Sequence, residues 1–257
     1  MIGCRSQPHF PLSLILSCLT LLGCGTRGPG VEVDRQPGSS GMLPVTWSPA
    51  LGLKSLGDID RRLTEPWDVS FELRNGNTGA TVQSCAEYLA FRGQRVGVEP
   101  ESDGPSLMRI SVDCLAIDGL RNAKPARLSS IGMFHLTMDV LRLLPPELGP
   151  VVSDDDEARV SLASRAGLSW KAESPNATVH AGENDEIIIT EPHYITRLSE
   201  MARADFSGGG RQQVMIRSLT EGINSSWTSA RLFLLDQEGT DVVITVRKRY
   251  EGPGFQR

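Results

Sequence analysis

The order of periodicities along the chain predicts an α+β fold, with helices in the N-terminal half and an antiparallel β-sheet in the C-terminal half. Three observations carry the prediction. Val82, Cys85, Ala86, Leu89 and Ala90 recur at i, i+3, i+4, i+7 and i+8, and Leu107, Ile110, Cys114, Ile117 and Arg121 share a second helical face. From Leu168 onward the texture changes to short apolar runs separated by glycine or Asn/Asp turns, the pattern of strands. Cys85 and Cys114 each fall on the apolar face of their helix, so a bridge between them clamps the two helices together. Helices first and strands after give α+β rather than an alternating α/β order.

The chain opens with Arg5 as the only charge before an apolar run from Leu12 to Leu22, too short to span a bilayer as a stable helix. A small residue, Gly23, then directly precedes Cys24. The stretch Leu21-Leu22-Gly23-Cys24 resembles the lipobox of bacterial lipoproteins. The resemblance implies that residues 1–23 are a signal peptide, that a diacylglyceryl group joins the Cys24 thiol, and that cleavage leaves Cys24 at the mature N-terminus. Gly25 rather than Asp follows, which by the same resemblance favours an outer-membrane anchor on the periplasmic face of a Gram-negative envelope. Durable anchoring takes two or more acyl chains, and no later stretch is long and apolar enough to span.

With Arg5 gone, the mature chain is one unit more acidic than the formal −5 of the full sequence. Such a balance gives no general attraction to nucleic acid or to anionic headgroups, so the membrane contact is assigned to the lipid alone. The cysteines divide accordingly. Cys4 and Cys18 leave with the signal peptide, Cys24 carries lipid, and Cys85 and Cys114 remain as a single pair. In an exported chain that pair favours a disulfide over two buried free thiols or half of a metal site. Closing a loop of this length stabilises by roughly 3–4 kcal/mol on the chain-entropy model.

Residues 24–41 hold no apolar period and read as a flexible tether; residues 42–257 read as one α+β domain, with a subdivision near 150–167 left open. Residues 47–62 look irregular. Trp67 to Leu73 alternates as a half-buried strand and Asn75-Gly76-Asn77 turns the chain. The first helix follows, with Gly93 as its stop, and the second covers Ser106 to about Asn122, although residues 109–114 also alternate. Phe134 to Leu136 is expected as a short strand and Met138 to Leu144 as a short helix stopped by Pro145. Ser153 opens a further helix to about Ala166, its first turn carrying Asp154, Asp155, Asp156 and Glu157 against the helix dipole. Strands are expected at 168–172, 186–190, 213–219, 227–235 and 241–247. A helix is expected at 192–204, where Ile195, Leu198, Met201 and Ala202 share a face behind Pro192.

One loop invites a chemical reading. Asp205-Phe206-Ser207-Gly208-Gly209-Gly210 precedes the strand Val214-Met215-Ile216 and resembles the calcium loop of FG-GAP or VCBS repeats, through about Leu235. Asp205, Phe206, Gly208 and Gly210 match that pattern. Ser207, Gly209 and Gln213 stand where the family has Asn, Asp and a closing acid. Calcium asks for six to eight oxygens with several carboxylates among them, so this set is not expected to hold a metal. The resemblance implies a strand–loop–strand geometry, and a plain glycine-rich hairpin fits equally. The loop is expected to be held by its glycines and by Phe206, with Asp205→Asn costing much less than Phe206→Ala.

Histidine usage offers little for catalysis. His9 leaves with the signal peptide, His135 sits in an apolar stretch as a core histidine, and His180 and His193 flank Glu183, Asp185, Glu186 and Glu191 without a zinc-binding spacing. No Gly-x-Ser-x-Gly, Ser-x-x-Lys or Walker sequence occurs, and no cofactor is implied. A triad assembled from distant residues stays open. Asp154, Asp155, Asp156 and Glu157 are candidates for binding a cation or a basic partner, and Arg247-Lys248-Arg249 for touching lipid phosphates or a partner. The four tryptophans are too dispersed for a sugar-stacking platform. The function read from these features is protein binding by a lipid-anchored, periplasm-facing lipoprotein, as in an immunity or inhibitor factor that neutralises a periplasmic toxin. An envelope hydrolase and a structural envelope-assembly lipoprotein are the alternatives.

Overall fold

The computed structural model describes residues 32–34, 41–76, 78–129, 131, 134–237, 244–250, 252 and 254–255. The expected signal peptide, Cys24 and most of the expected tether lie outside them. The described part of the tether is β1 (Glu32–Asp34), which pairs antiparallel with β2 (Val45–Trp47). The stretch expected to be irregular contains, besides β2, a short helix α1 (Ile59–Thr64) that buries Ile59 and Leu63.

A small sheet not foreseen in the N-terminal half comes next. β3 (Phe71–Asn75) starts later than expected, and the turn after it leads into β4 (Thr78–Val82), so Val82 ends a strand instead of beginning a helix. The helix α2 (Cys85–Leu89) is accordingly short, capped by the Ser84 side chain accepting from the Glu87 N–H. β5 (Arg95–Glu99) pairs with β3. Gly93, between α2 and β5, has φ +81°, the left-handed conformation that a glycine stop supplies. The second helix is present as α3 (Gly104–Leu120), and Cys85 and Cys114 are joined across α2 and α3.

Residues 134–136 form no strand, and the short helix expected at 138–144 is a 3₁₀ turn at Val140–Arg142, with another at Pro146–Leu148. Helix α4 (Asp154–Arg165) begins at a capping box, Ser153 and Asp156 each bonding the other's backbone N–H. The strand expected at 168–172 is instead α5 (Trp170–Glu173), a single turn started by Ser169. The strands β6 (Thr178–Ala181) and β7 (Ile187–Thr190) follow.

The largest departure is at 192–204, where β8 (Tyr194–Ala204) is the longest strand and not a helix. The register against β9 (Gln213–Gly222) slips between Glu200 and Ala202, so Met201 is the extra residue of a β-bulge. In an unbroken strand Leu198 and Ala202 would share a face; here Leu198 packs in one core and Met201, Ala202 and Ala204 in the other. That switch of parity puts apolar residues three and four apart, which imitates a helical stripe. β10 (Thr228–Gln237), β11 (Ile244–Tyr250) and β12 (Gly254–Phe255) complete the chain, β12 joining the small sheet beside β5 in order β12-β5-β3-β4.

The large sheet is antiparallel throughout, β1-β2-β8-β9-β10-β11 with β7 and β6 branching from β8. Both of its faces are covered, which is why β9 and β10 read as nearly continuous apolar runs. Met215, Leu232 and Leu234 face α1, α2, α3 and the small sheet. Val214, Ile216, Phe233 and Leu235 face the irregular segment 131–148 and Trp170. Gly119 of α3 lets the helix lie close to the sheet, since a Cβ there would come within 2.7 Å of Met215 Cε. On the other face Arg231 is buried and donates to the carbonyls of Leu148 and Gly149, and burial, with the Arg249 charge adding to it, pulls its pKa down to about 9.

Candidate functional site

The edge of β8 is shared by two short strands, and the site lies where they part. β7 pairs with it from Ile195 to Leu198, β2 pairs with Ala202 and Arg203, and the Ser48 N–H reaches the Met201 carbonyl at 2.9 Å. The register leaves Ser199 and Glu200 without a partner strand on that edge. The chain leaves the sheet at Ser48-Pro49-Ala50 on one side of the fork and enters it through residues 183–186 on the other. Between them opens a groove of about 1030 Å³.

Its floor is a polar network on both faces of the sheet. On the α3 face, Ser199 Oγ donates to Glu186 Oε1 at 2.9 Å and accepts from Arg217 Nη2 at 3.0 Å. Arg217 also meets Asp113 of α3 at 3.3 Å and Glu186 at 3.8 Å. Burial pushes the Asp113 carboxyl up from its ordinary value, and the Arg217 charge offsets this only in part. The Arg217 Nε–H is buried without an acceptor among the described residues. On the opposite face Glu200 grips Arg203 with both oxygens, at 2.5 and 2.7 Å, and Arg203 also donates to the Phe134 carbonyl. The bulge at Met201 sets this arrangement, because it sends Arg203 to the same face as Glu200.

The rim is acidic. Residues 183–186 form a tight turn in which Asn184 and Asp185 have φ +52° and +60°, the Glu186 N–H bonds the Glu183 carbonyl at 3.1 Å, and β6 and β7 are joined. The turn carries Glu183 and Asp185 at the groove mouth, both exposed and in no ion pair among the described residues. Counting Glu183, Asp185, Glu186 and Glu200 against Arg203 and Arg217, the lining holds two more negative than positive charges.

The structure brings some of the sequence candidates together and separates others. Glu183, Asp185 and Glu186 meet in the groove, whereas His180 and His193 do not line it. His135 does line it, and it is exposed, not a core histidine; the buried neighbour is Phe134. Asp154, Asp155, Asp156 and Glu157 lie on the first turn of α4, away from the groove lining, and Asp156 is engaged by the capping box and Arg159. Among the described residues no group of three His, Cys, Asp or Glu could hold a metal ion. Ser199, Glu200, Arg203 and Arg217 were missed because the strand carrying the first three reads as a helix. Alternation of Arg217 with Met215 and Leu219 is the only sequence signal that marks an inward-facing cation.

The Asp205 loop is the hairpin connection of β8 and β9, and its logic corrects the expectation that Asp205 matters little. Asp205 is buried. Its Oδ1 accepts from Ser207 N at 3.1 Å, Ser207 Oγ at 3.2 Å and Gly208 N at 2.7 Å, and its Oδ2 from Gly210 N at 2.6 Å. Gly208 and Gly210, at φ +78° and +77°, let those amides turn inward. Gln213 accepts from the Phe206 N–H at 3.2 Å and donates to Asp236 at 3.2 Å. Donors converge on this carboxylate, the reverse of a cation site. Phe206 is half-buried against the core.

No protein-family model matches the chain, and neither the curated proteins nor the solved structures contain a match to it.

Proposed function

We propose that this protein is a lipid-anchored binding protein of the envelope, fixed through Cys24 to the outer membrane and facing the periplasm, which holds a segment of a partner protein in the groove at the β8 fork. The observation that carries the reading is the groove itself: an interrupted strand edge with a pre-formed, cross-linked polar floor and an acidic rim. Such a site recognises without rearrangement, because the Arg203–Glu200 and Arg217–Ser199–Glu186 contacts already fix the side chains. The disulfide between α2 and α3 and the cores on both sheet faces make the scaffold rigid. An immunity or inhibitor factor against a periplasmic toxin fits this use, since neutralisation needs occupancy and no turnover.

The hydrolase reading has one observation in its favour, a serine hydroxyl beside a carboxylate in a groove. Among the described residues, however, no histidine hydrogen-bonds to Ser199 or Glu186 to serve as a proton relay, and the Ser199 Oγ also accepts from Arg217. The test is a photo-crosslinking amino acid in place of Ala50, which is exposed on the groove wall. In intact envelopes we expect one discrete adduct, absent when the same residue replaces Leu162 on the exposed side of α4. No adduct from position 50, or the same adducts from both positions, would refute the reading.

A further inference from the structure

We infer that the segment taken by the groove is extended and basic, bearing lysine or arginine, an inference that rests on the protein-binding reading of the same groove. The fork supplies the shape. Ser199 and Glu200 sit on an edge whose neighbours, β2 and β7, turn away on either side, so an occupant must approach as a narrow chain. A groove of about 1030 Å³ is at the upper end of sites that enclose a small ligand, about 300–1,000 Å³, and so accommodates a short run of residues and not a folded surface.

The charges supply the sign. The floor cations are already engaged: Arg203 is held by both Glu200 oxygens and the Phe134 carbonyl, and Arg217 by Asp113, Ser199 and Glu186, with only the buried Arg217 Nε–H left without an acceptor among the described residues. An anionic segment would find carboxylates already set against both guanidiniums and would pass two more on the way in. Glu183 and Asp185, by contrast, stand unpaired on a turn whose backbone is fixed by a Gly182–Glu186 bond at 2.8 Å, and they can face a lysine or arginine without prior reorganisation. Charges at a rim act mainly on encounter rate and on partner choice, and their effect fades with salt. A bare metal ion is a poorer occupant, since the described carboxylates do not converge into a ligand set.

The test uses the full lipidated chain in detergent, immobilised and challenged with a random heptapeptide display library. Enriched peptides are then synthesised and titrated by fluorescence polarisation. The expected enrichment is of sequences with two or more Lys or Arg. Their affinity should fall about tenfold in the Glu183→Gln/Asp185→Asn double variant, and by a comparable factor between about 0.05 and about 0.5 M salt. Both rim residues are exposed, so circular dichroism and melting of the double variant should match the parent. Enrichment of neutral or acidic peptides, absence of enrichment, or undiminished binding by the double variant would overturn the inference. The two readings fail separately. An Ala50 adduct to a partner whose crosslinked segment carries no Lys or Arg sinks the basic-segment inference and leaves protein binding intact. Basic peptide binding in the absence of any adduct in envelopes does the opposite.

Discussion

Replacing Asp205 perturbs four hydrogen bonds at once, and their individual settings fix how much each one counts. A hydrogen bond to a charged group contributes about 1.5–3 kcal/mol when the donor cannot find another partner. Ser207 and Gly208 are exposed and can turn to water, whereas Gly210 is half-buried against the Arg127 side chain. The loop is also tied to the segment before it: Lys124 and Asp205 exchange backbone bonds at 3.0 and 2.8 Å, and the Gly210 carbonyl accepts from Arg127 and Leu128. Loosening Gly210 therefore loosens residues 124–128. We expect Asp205→Ala to lower stability by about 3 kcal/mol and Asp205→Asn by about 2 kcal/mol, since the amide can keep its oxygen toward Ser207 and Gly208 but turns an NH₂ against the Gly210 N–H. For a domain of this size that is a fall in Tm of about 6–12 °C and about 4–8 °C. Phe206→Ala, at a half-buried ring, should cost about 2 kcal/mol. The assay is urea unfolding followed by the fluorescence of the buried Trp47 and Trp170, with unchanged m-values as the check that only stability has moved. An Asp205→Asn variant within about 0.5 kcal/mol of the parent would refute the reasoning. So would a calcium-dependent rise in Tm that Asp205→Asn removes, because it would make the carboxylate a ligand instead of an acceptor.

Four further outcomes are expected. Cys85→Ala/Cys114→Ala, at positions 5% and 0% exposed and 29 residues apart, should lower stability by roughly 3–4 kcal/mol, and non-reducing mass spectrometry of the parent should show one linked peptide; freely alkylated thiols would contradict it. Ser153→Ala should cost about 1 kcal/mol by uncapping α4. At Asp156 burial works against the charged form, but hydrogen bonds from Ser153 and Arg159 outweigh it and hold the pKa below its ordinary 3.8. The resulting stabilisation is present above the unfolded-state value and is lost as the pH falls through the folded one, so the gap between parent and Asp156→Asn should narrow on acidification below about pH 4, and a gap constant down to pH 2 would contradict the assignment. Cys24→Ser should abolish palmitate labelling and membrane fractionation of the full chain; a labelled, membrane-bound variant would rule out the lipobox reading.

What the sequence disclosed about the fold tracks the length of each periodic run. α3 is seventeen residues long, and Leu107, Cys114 and Ile117 mark its buried face over about three turns. Its cysteine and that of α2 could therefore be placed on facing stripes before any coordinates. α5, four residues built around Trp170, has no period to detect, and α1 has six residues with two buried. The small sheet was hidden for a related reason: β4 buries only Val82 among its five residues, and a lone valine four places before Ala86 completes a helical stripe. β8 failed by a different mechanism, a bulge that breaks the alternation by which strands are recognised. Of the groove, the sequence displayed the acids 183–186 as a cluster but supplied no reason to connect them with Ser199 or Arg217.

The bulge that hid β8 is also the feature from which the groove follows. An eleven-residue strand offers a longer edge than either β2, with three residues, or β7, with four, can cover, and these two meet it on opposite sides of Met201. A regular strand at this place would leave the same gap, but Arg203 would then project on the α3 face, with Glu200 left on the other side. One extra residue sets Arg203 beside Glu200 on one face, while Arg217 keeps Asp113 and Glu186 on the other. Each floor cation thus already faces a carboxylate on its own side of the sheet, and the rim turn adds Glu183 and Asp185 at the mouth. A local irregularity in one strand therefore fixes the parity of its side chains, the pairing of the buried charges and the net charge that an incoming segment meets.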